Sequence, residues 1–195
     1  MPIKITLKPK PIHADKKDIY TEDILMRSFD VFLNYYNGRL SLKEKGLKIR
    51  LPGFPEDISE NMIKFILRNN GDSTVHWNTT SGDLYSSKEG RIECKATTSA
   101  GPISFSPTSD WDVLYVMDAT QWRCDKYIVY RINIKKSYSE WSEIKVKRTE
   151  NFGDQCKSGR RPRCTWSMLK PQLGDHCQQV FCGTFNEMLV KAPTC

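Results

Sequence analysis

Asp83, Glu93 and Lys95 are the residues of this chain whose types and spacing could do chemistry. They stand in the run from Ser81-Gly82-Asp83 to Glu93-Cys94-Lys95-Ala96, which reads as a strand, a tight turn containing Gly90 and a second strand. Alternate side chains of a strand share a face. Ile92, Cys94 and Ala96 then form an apolar set, while Arg91, Glu93 and Lys95 point the other way. The first strand can bring Asp83 beside Glu93. Two carboxylates that hold a divalent cation, with an ammonium beside them, suit metal-assisted hydrolysis of a phosphodiester. Taken as a bare pattern, the same residues also fit a solvated strand face carrying a Glu–Lys pair.

The elements that must position these side chains follow from periodicity. Leu25, Phe29, Phe32 and Tyr36 recur at spacings of three and four, which predicts a helix over 21–37 with Thr21 as its cap and Asn37-Gly38 as its end. Leu51-Pro-Gly-Phe-Pro55 is a turn-rich break. A second helix is predicted over about 57–69, where Asp57 and Glu60 have capping-box spacing and Ile58, Met62, Phe65 and Ile66 form an apolar stripe. Strands are predicted at 73–77, 82–86, 91–98, 111–118, 127–134 and 144–148. The chain beyond reads as irregular, basic and cysteine-rich, with a helix over about 165–170 ending before Pro171 and an amphipathic stretch over about 178–190. Helices followed by adjacent strands imply an α/β fold with a central mixed β-sheet flanked by helices.

The chain has 195 residues, so a single domain over 1–195 is expected, with a catalytic core over about 57–135 and a basic Cys-rich C-terminal region over about 150–195. A net charge of +7 points to a polyanionic partner. No apolar run reaches the length of a membrane span. The lysine-rich arm over residues 1–20 has no apolar segment of a secretory signal, so a cytoplasmic protein that is not secreted is expected. In that compartment the seven cysteines are expected to be reduced, and the sequon Asn78-Thr79-Thr80 is expected to be chance. There is no phosphate-binding glycine-rich loop, which argues against an NTP-driven activity. His13, His76 and His176 are dispersed and form no catalytic constellation; His76 reads as structural.

The two strands of the motif resemble the PD…(D/E)xK signature of type II restriction endonucleases and related nucleases. Gly82-Asp83 stands for the Pro-Asp element, with Gly where the family often has Pro, and Glu93-Cys94-Lys95 for the second element. The segment from Thr97 to Asp118 is similar to what some small type II enzymes carry after that strand. The resemblance covers roughly residues 57–135 and implies a restriction-endonuclease-like core. It implies that Asp83 and Glu93 bind Mg²⁺ with the Cys94 carbonyl, and that Lys95 orients or deprotonates the attacking water. It also implies products with 5′-phosphate and 3′-hydroxyl ends. A helix before the motif sometimes supplies an acidic residue in related nucleases, which makes Glu60 a secondary metal candidate; the capping-box reading of Glu60 is preferred.

The likeness further implies a homodimer acting on double-stranded DNA, since palindromic sites are cut by two-fold related active sites. A prokaryotic or virus-infected cell and a cognate DNA methyltransferase belong to that picture. Other readings stay open: a repair nuclease or junction resolvase with the same motif, or a basic DNA-binding protein without catalysis. Lys157, Arg160, Arg161 and Arg163 lie between or beside Cys156 and Cys164 and are candidate DNA contacts, because guanidinium forks hold phosphate or read guanine. Ser99, Ser104 and Ser106, in a predicted loop leaving the catalytic strand, are the other candidates. Cys156, Cys164, His176, Cys177 and Cys182 could close a zinc site, but their spacing lacks the tight pairs of zinc motifs, so buried unligated cysteines are expected.

Overall fold

A computed structural model describes residues 20–78 and 82–190; the arm over 1–19 and two residues of the sequon, Thr79 and Thr80, lie outside them. In chain order the elements are α1 (Glu22–Glu44), α2 (Glu56–Asn69), β1 (His76–Trp77), β2 (Leu84–Ser86), β3 (Gly90–Thr97), β4 (Pro102–Ser104), β5 (Val113–Gln121), β6 (Lys126–Ile132), α3 (Ser139–Glu143), β7 (Lys145–Lys147), β8 (Glu150–Asn151), α4 (Phe152–Lys157), β9 (Arg163–Thr165), α5 (Trp166–Leu173), β10 (Cys177–Gly183) and α6 (Phe185–Leu189). Among the described residues no helix is long and apolar enough to cross a membrane.

The centre is a six-stranded mixed sheet in the order β1-β2-β3-β5-β6-β10. Only the β3–β5 pair is parallel, with Glu93 opposite Leu114 and Lys95 opposite Val116. The antiparallel pairs are β1–β2, β2–β3, β5–β6 and β6–β10. Both faces of the sheet are covered, which explains why Val113–Met117 reads as an unbroken apolar run. On one face Ile92, Cys94, Tyr115 and Met117 pack with the buried stripes of α1, α2 and α6. On the other, Leu114, Val116, Tyr130 and Ile132 pack with Phe105, Trp111, Trp141, Phe152 and Leu169. The expected α/β architecture is therefore present.

Several boundaries differ from expectation. Helix α1 passes through Asn37-Gly38 to Glu44, because Tyr36 and Leu40 still pack on the first core; the chain turns only at Gly46, at φ +90°. Thr21 does cap the helix, accepting from the Ile24 N–H at 3.3 Å. Helix α2 begins after Pro55 with no side-chain cap, so the expected capping box is absent. Pro171 lies inside α5, where the fully buried Leu169 and Leu173 outweigh the missing N–H. The amphipathic stretch over 178–190 is a strand and a short helix, and the region read as irregular supplies the edge strand β10 of the main sheet. The loop expected over 99–107 contains β4, which pairs with β9 and sets Ser104 opposite Arg163.

Candidate functional site

The site forms where β2 stops and β3 continues. β2 pairs with β3 only over Leu84–Ser86, opposite Gly90–Ile92. The chain before it is turned by Gly82 at φ +77°, where a Cβ would stand 2.9 Å from the Ile92 carbonyl oxygen. A proline, locked near φ −65°, cannot take this conformation. A glycine is thus required here by the local turn. Asp83 then donates its N–H to the Ile92 carbonyl at 2.8 Å. Its carboxylate Oδ2 accepts the Cys94 N–H at 2.7 Å. The side chain carries the ladder one step beyond the backbone of β2 and satisfies an edge amide that would otherwise lack a partner.

Glu93 and Lys95 project from the next part of the same edge. The Lys95 ammonium lies 2.6 Å from Glu93 Oε1 and 3.8 Å from Asp83 Oδ2. It also donates to the Cys94 carbonyl at 3.0 Å. Three oxygens, from Asp83, Glu93 and the Cys94 backbone, therefore converge on one cation, the lysine itself. Glu93 is buried, with its side chain 5% exposed. The Cys94 thiol points into the first core, where burial pushes it well above its ordinary range, so only its carbonyl is available to the site. Burial pulls the Lys95 pKa down, but the Glu93 and Asp83 carboxylates outweigh it, and the net shift is upward. Burial, opposed by Lys95, raises the Asp83 carboxyl. Arg91, on the same alternation, is not at the site. It is paired with Asp110 at 2.5 Å and Asp112 at 3.1 Å and ties the starts of β3 and β5 together.

A cavity of about 600 Å³ opens over these groups. Glu60 lines it from α2, with Asp83, Glu93 and Lys95 from the sheet, Ser104 and Ser106 from the β4 segment, and Arg161 from the basic loop. The preferred reading of Glu60 as a capping residue is overturned, because the helix starts at Glu56 and leaves Glu60 facing the cavity. Burial, then the nearby Asp83 carboxylate, pushes the Glu60 carboxyl up to about 8 from an ordinary 4.5. An unfolded chain would ionise this group near 4.5 while the folded one keeps it neutral, so stability falls as pH rises between those values and then levels. Metal-free wild type should melt at progressively lower temperature from pH 5 to pH 8.5. Glu60→Gln should flatten that profile and melt above wild type at pH 8.5, as read by thermal denaturation in EDTA. Identical profiles would mean that Glu60 is not held neutral at the cavity.

The candidate DNA contacts divide. Arg161, Ser104 and Ser106 reach the cavity, whereas Ser99, Lys157, Arg160 and Arg163 do not line it. Arg160 is held at 2.8 Å by Glu150 and belongs to a surface ion pair. Ser99 closes a local turn, its Oγ accepting the Gly101 N–H at 3.2 Å. Lys136 pins the segment that carries Ser106 by donating to the carbonyls of Ser106 at 3.1 Å, Pro107 at 2.9 Å and also Ser109. Arg50, Ser59 and Thr98 also line the cavity and were missed by sequence reasoning. For Arg50 a signal existed: it ends the basic series Lys43, Lys45, Lys48 just before the Pro-Gly break. His76 is exposed, on the short strand β1 at the sheet edge. Of the C-terminal cysteines expected to be buried, only Cys164 is; Cys156 and Cys177 are half-buried and Cys182 is exposed, as is Cys124.

Among the described residues no three His, Cys, Asp or Glu side chains already sit together as a metal-binding group. The donor set nevertheless fits a hard cation. Mg²⁺ needs few protein ligands and keeps several waters, and two carboxylates with one backbone carbonyl already surround a positive charge here.

Comparison with known proteins places the chain in a family. The family model described as Bsp6I restriction endonuclease matches residues 24–170. The type II restriction enzyme Bsp6I of Bacillus sp. (strain RFL6) is 34% identical over 123 residues, which cover 60% of this chain and 63% of that protein. The alignment thus spans less than two thirds of that relative. No solved structure matches. Since residues 24–170 run from α1 into α5 and take in every side chain that lines the cavity, the chain belongs to the Bsp6I restriction endonuclease family.

Proposed function

We propose that this protein is a Mg²⁺-dependent endonuclease that cuts double-stranded DNA at a specific site as a homodimer. The observation that carries the reading is the convergence of Asp83, Glu93 and the Cys94 carbonyl on Lys95 inside an open, polar cavity. Family membership supports it, and a net charge of +7 suits a polyanionic substrate.

In this reading Asp83, Glu93 and the Cys94 carbonyl hold the metal, with Glu60 at its margin. When bound, Mg²⁺ would supply water activation and charge neutralisation at the phosphate. The Lys95 ammonium now lies between these oxygens, so it would have to leave Glu93 for them to hold a metal. Without a metal, and against the pull of burial, the Glu93 and Asp83 carboxylates hold Lys95 protonated. In this reading Lys95 orients or deprotonates the attacking water. Arg161, Arg50, Ser104 and Ser106 line the walls and would position the strand by its phosphates. The products would carry 5′-phosphate and 3′-hydroxyl ends. A cognate methyltransferase protecting host DNA, and a cytoplasmic site of action, complete the proposal.

The test is incubation of the purified protein with unmethylated phage DNA in Mg²⁺ and in EDTA. Discrete Mg²⁺-dependent fragments are expected. Asp83→Ala and Glu93→Ala should abolish them and weaken metal binding, as measured by calorimetric titration. Cleavage only of branched or damaged substrates would replace this reading with a repair or resolving nuclease. Salt-sensitive binding without any cleavage would replace it with a DNA-binding protein.

A further inference from the structure

Helix α1 carries two apolar stripes. Leu25, Phe29, Phe32 and Tyr36 face the core. Ile24, Ser28, Val31, Tyr35, Gly38 and Leu42, at spacings of four and three throughout, lie about 100° round the helix on a face that is exposed except at the half-buried Ser28, which the Tyr20 side chain contacts. Four of these six are large and exposed: Ile24 by 37%, Val31 by 68%, Tyr35 by 55% and Leu42 by 45%. Spacing of this kind is the seam of a helix pair. A shallow groove of about 530 Å³ runs beside it, bordered by Pro55 and Ile58 at the start of α2.

The seam is a palindrome in size. Its positions are symmetric about Leu33: Ile24 mirrors Leu42, Ser28 mirrors Gly38, and Val31 mirrors Tyr35. Under a two-fold axis at that point, large meets large and small meets small along an antiparallel pair. Self-complementarity of this kind is what an isologous contact needs. Charge agrees. The first turn is acidic through Glu22 and Asp23 and the last is basic through Lys43 and the capping Lys45, so antiparallel copies set opposite charges and opposite helix dipoles side by side. Arg39 connects the seam to the cavity: its guanidinium lies 5.9 Å from the Tyr35 ring centroid, and its Nε donates to the carbonyl of Arg50, a cavity residue, at 3.0 Å.

We infer that this face of α1 is the dimer interface, occupied by the same face of a second copy, antiparallel. The inference deepens the homodimer of the proposed function and rests on that part of it. Light scattering of the full chain at tens of micromolar, without DNA or metal, should give twice 22.6 kDa. Val31→Glu should halve that mass with unchanged circular dichroism. If it misfolds, a second route is available. With Cys124, Cys182 and Cys195 replaced by Ser, Ser28→Cys combined with Gly38→Cys should give a covalent dimer on mild oxidation, and neither single variant should. A monomeric wild type, a folded Val31→Glu dimer, or absence of the double-variant cross-link overturns the inference. So does a monomer that dimerises only when residues 2–19 are deleted, which assigns the stripe to that segment. A dimer of the expected mass that cuts no DNA leaves the interface standing and counts against the nuclease reading; cleavage by a monomer does the reverse.

Discussion

Lys95→Ala should reduce DNA cleavage by about 10³-fold or more while DNA binding is retained. The ammonium is the cation on which Asp83, Glu93 and the Cys94 carbonyl converge, and it lines the cavity. Its removal has a second effect. Glu93 is almost fully buried and loses its 2.6 Å partner, and an unpaired buried carboxylate costs on the order of 3 kcal/mol. The metal-free variant should therefore melt well below wild type. Divalent cations, no longer competing with the ammonium for the same oxygens, should bind it more tightly and restore much of that loss. Three readouts separate the roles: cleavage rate, DNA affinity in Ca²⁺, and melting temperature with and without metal. Near-wild-type cleavage would show that the chemistry lies elsewhere. Lost cleavage together with lost metal binding would make Lys95 a structural residue only.

Gly82→Pro, which writes the Pro-Asp of the resembled signature into this turn, should inactivate the protein. Gly82 stands at φ +77°, a conformation closed to proline, and the Ile92 carbonyl oxygen lies 2.9 Å from where a Cβ would be. The turn it makes delivers Asp83 to the edge of β3, with the Asp83 N–H on Ile92 and the carboxylate on the Cys94 N–H. Forcing φ to −65° removes both bonds and moves the carboxylate off the site. A loss of about 3 kcal/mol in stability and at least about 10²-fold in cleavage is expected. Gly82→Ala should be intermediate: alanine reaches positive φ at a cost of about 1–2 kcal/mol, with a further penalty from the close contact. Melting and cleavage measured together would check this. An active Gly82→Pro would mean that Asp83 does not depend on the turn for its position, and that the carboxylate is replaceable.

The part of this protein that the sequence alone determined is local. The alternation in β3 separates Ile92 and Cys94 from Glu93 and Lys95 without any tertiary information, because a strand's period of two is a property of the backbone. The stripes of α1 and α2 and the apolar run in β5 were legible for the same reason. The sequence also distinguished the motif from a chance pattern only through its setting on two strands and through family resemblance. Helix ends were less legible. Asn37-Gly38 looks like a stop, yet packing of Tyr36 and Leu40 on the core carries the helix on to Glu44.

Only the tertiary structure decided which distant residues share the cavity. Glu60 reads locally as a capping residue, and its actual place depends on how α2 docks over the edge of β3. Arg161 and Arg160 are adjacent and chemically equivalent in sequence. The β4–β9 pairing sends the first to the cavity, while an ion pair with Glu150 holds the second on the surface. Arg50 lies far from the motif in the chain and arrives by the α1–α2 connection. Spacing along a chain fixes the face a side chain takes within its own element. The company it keeps depends on long-range pairing, which a single sequence does not encode at any fixed separation.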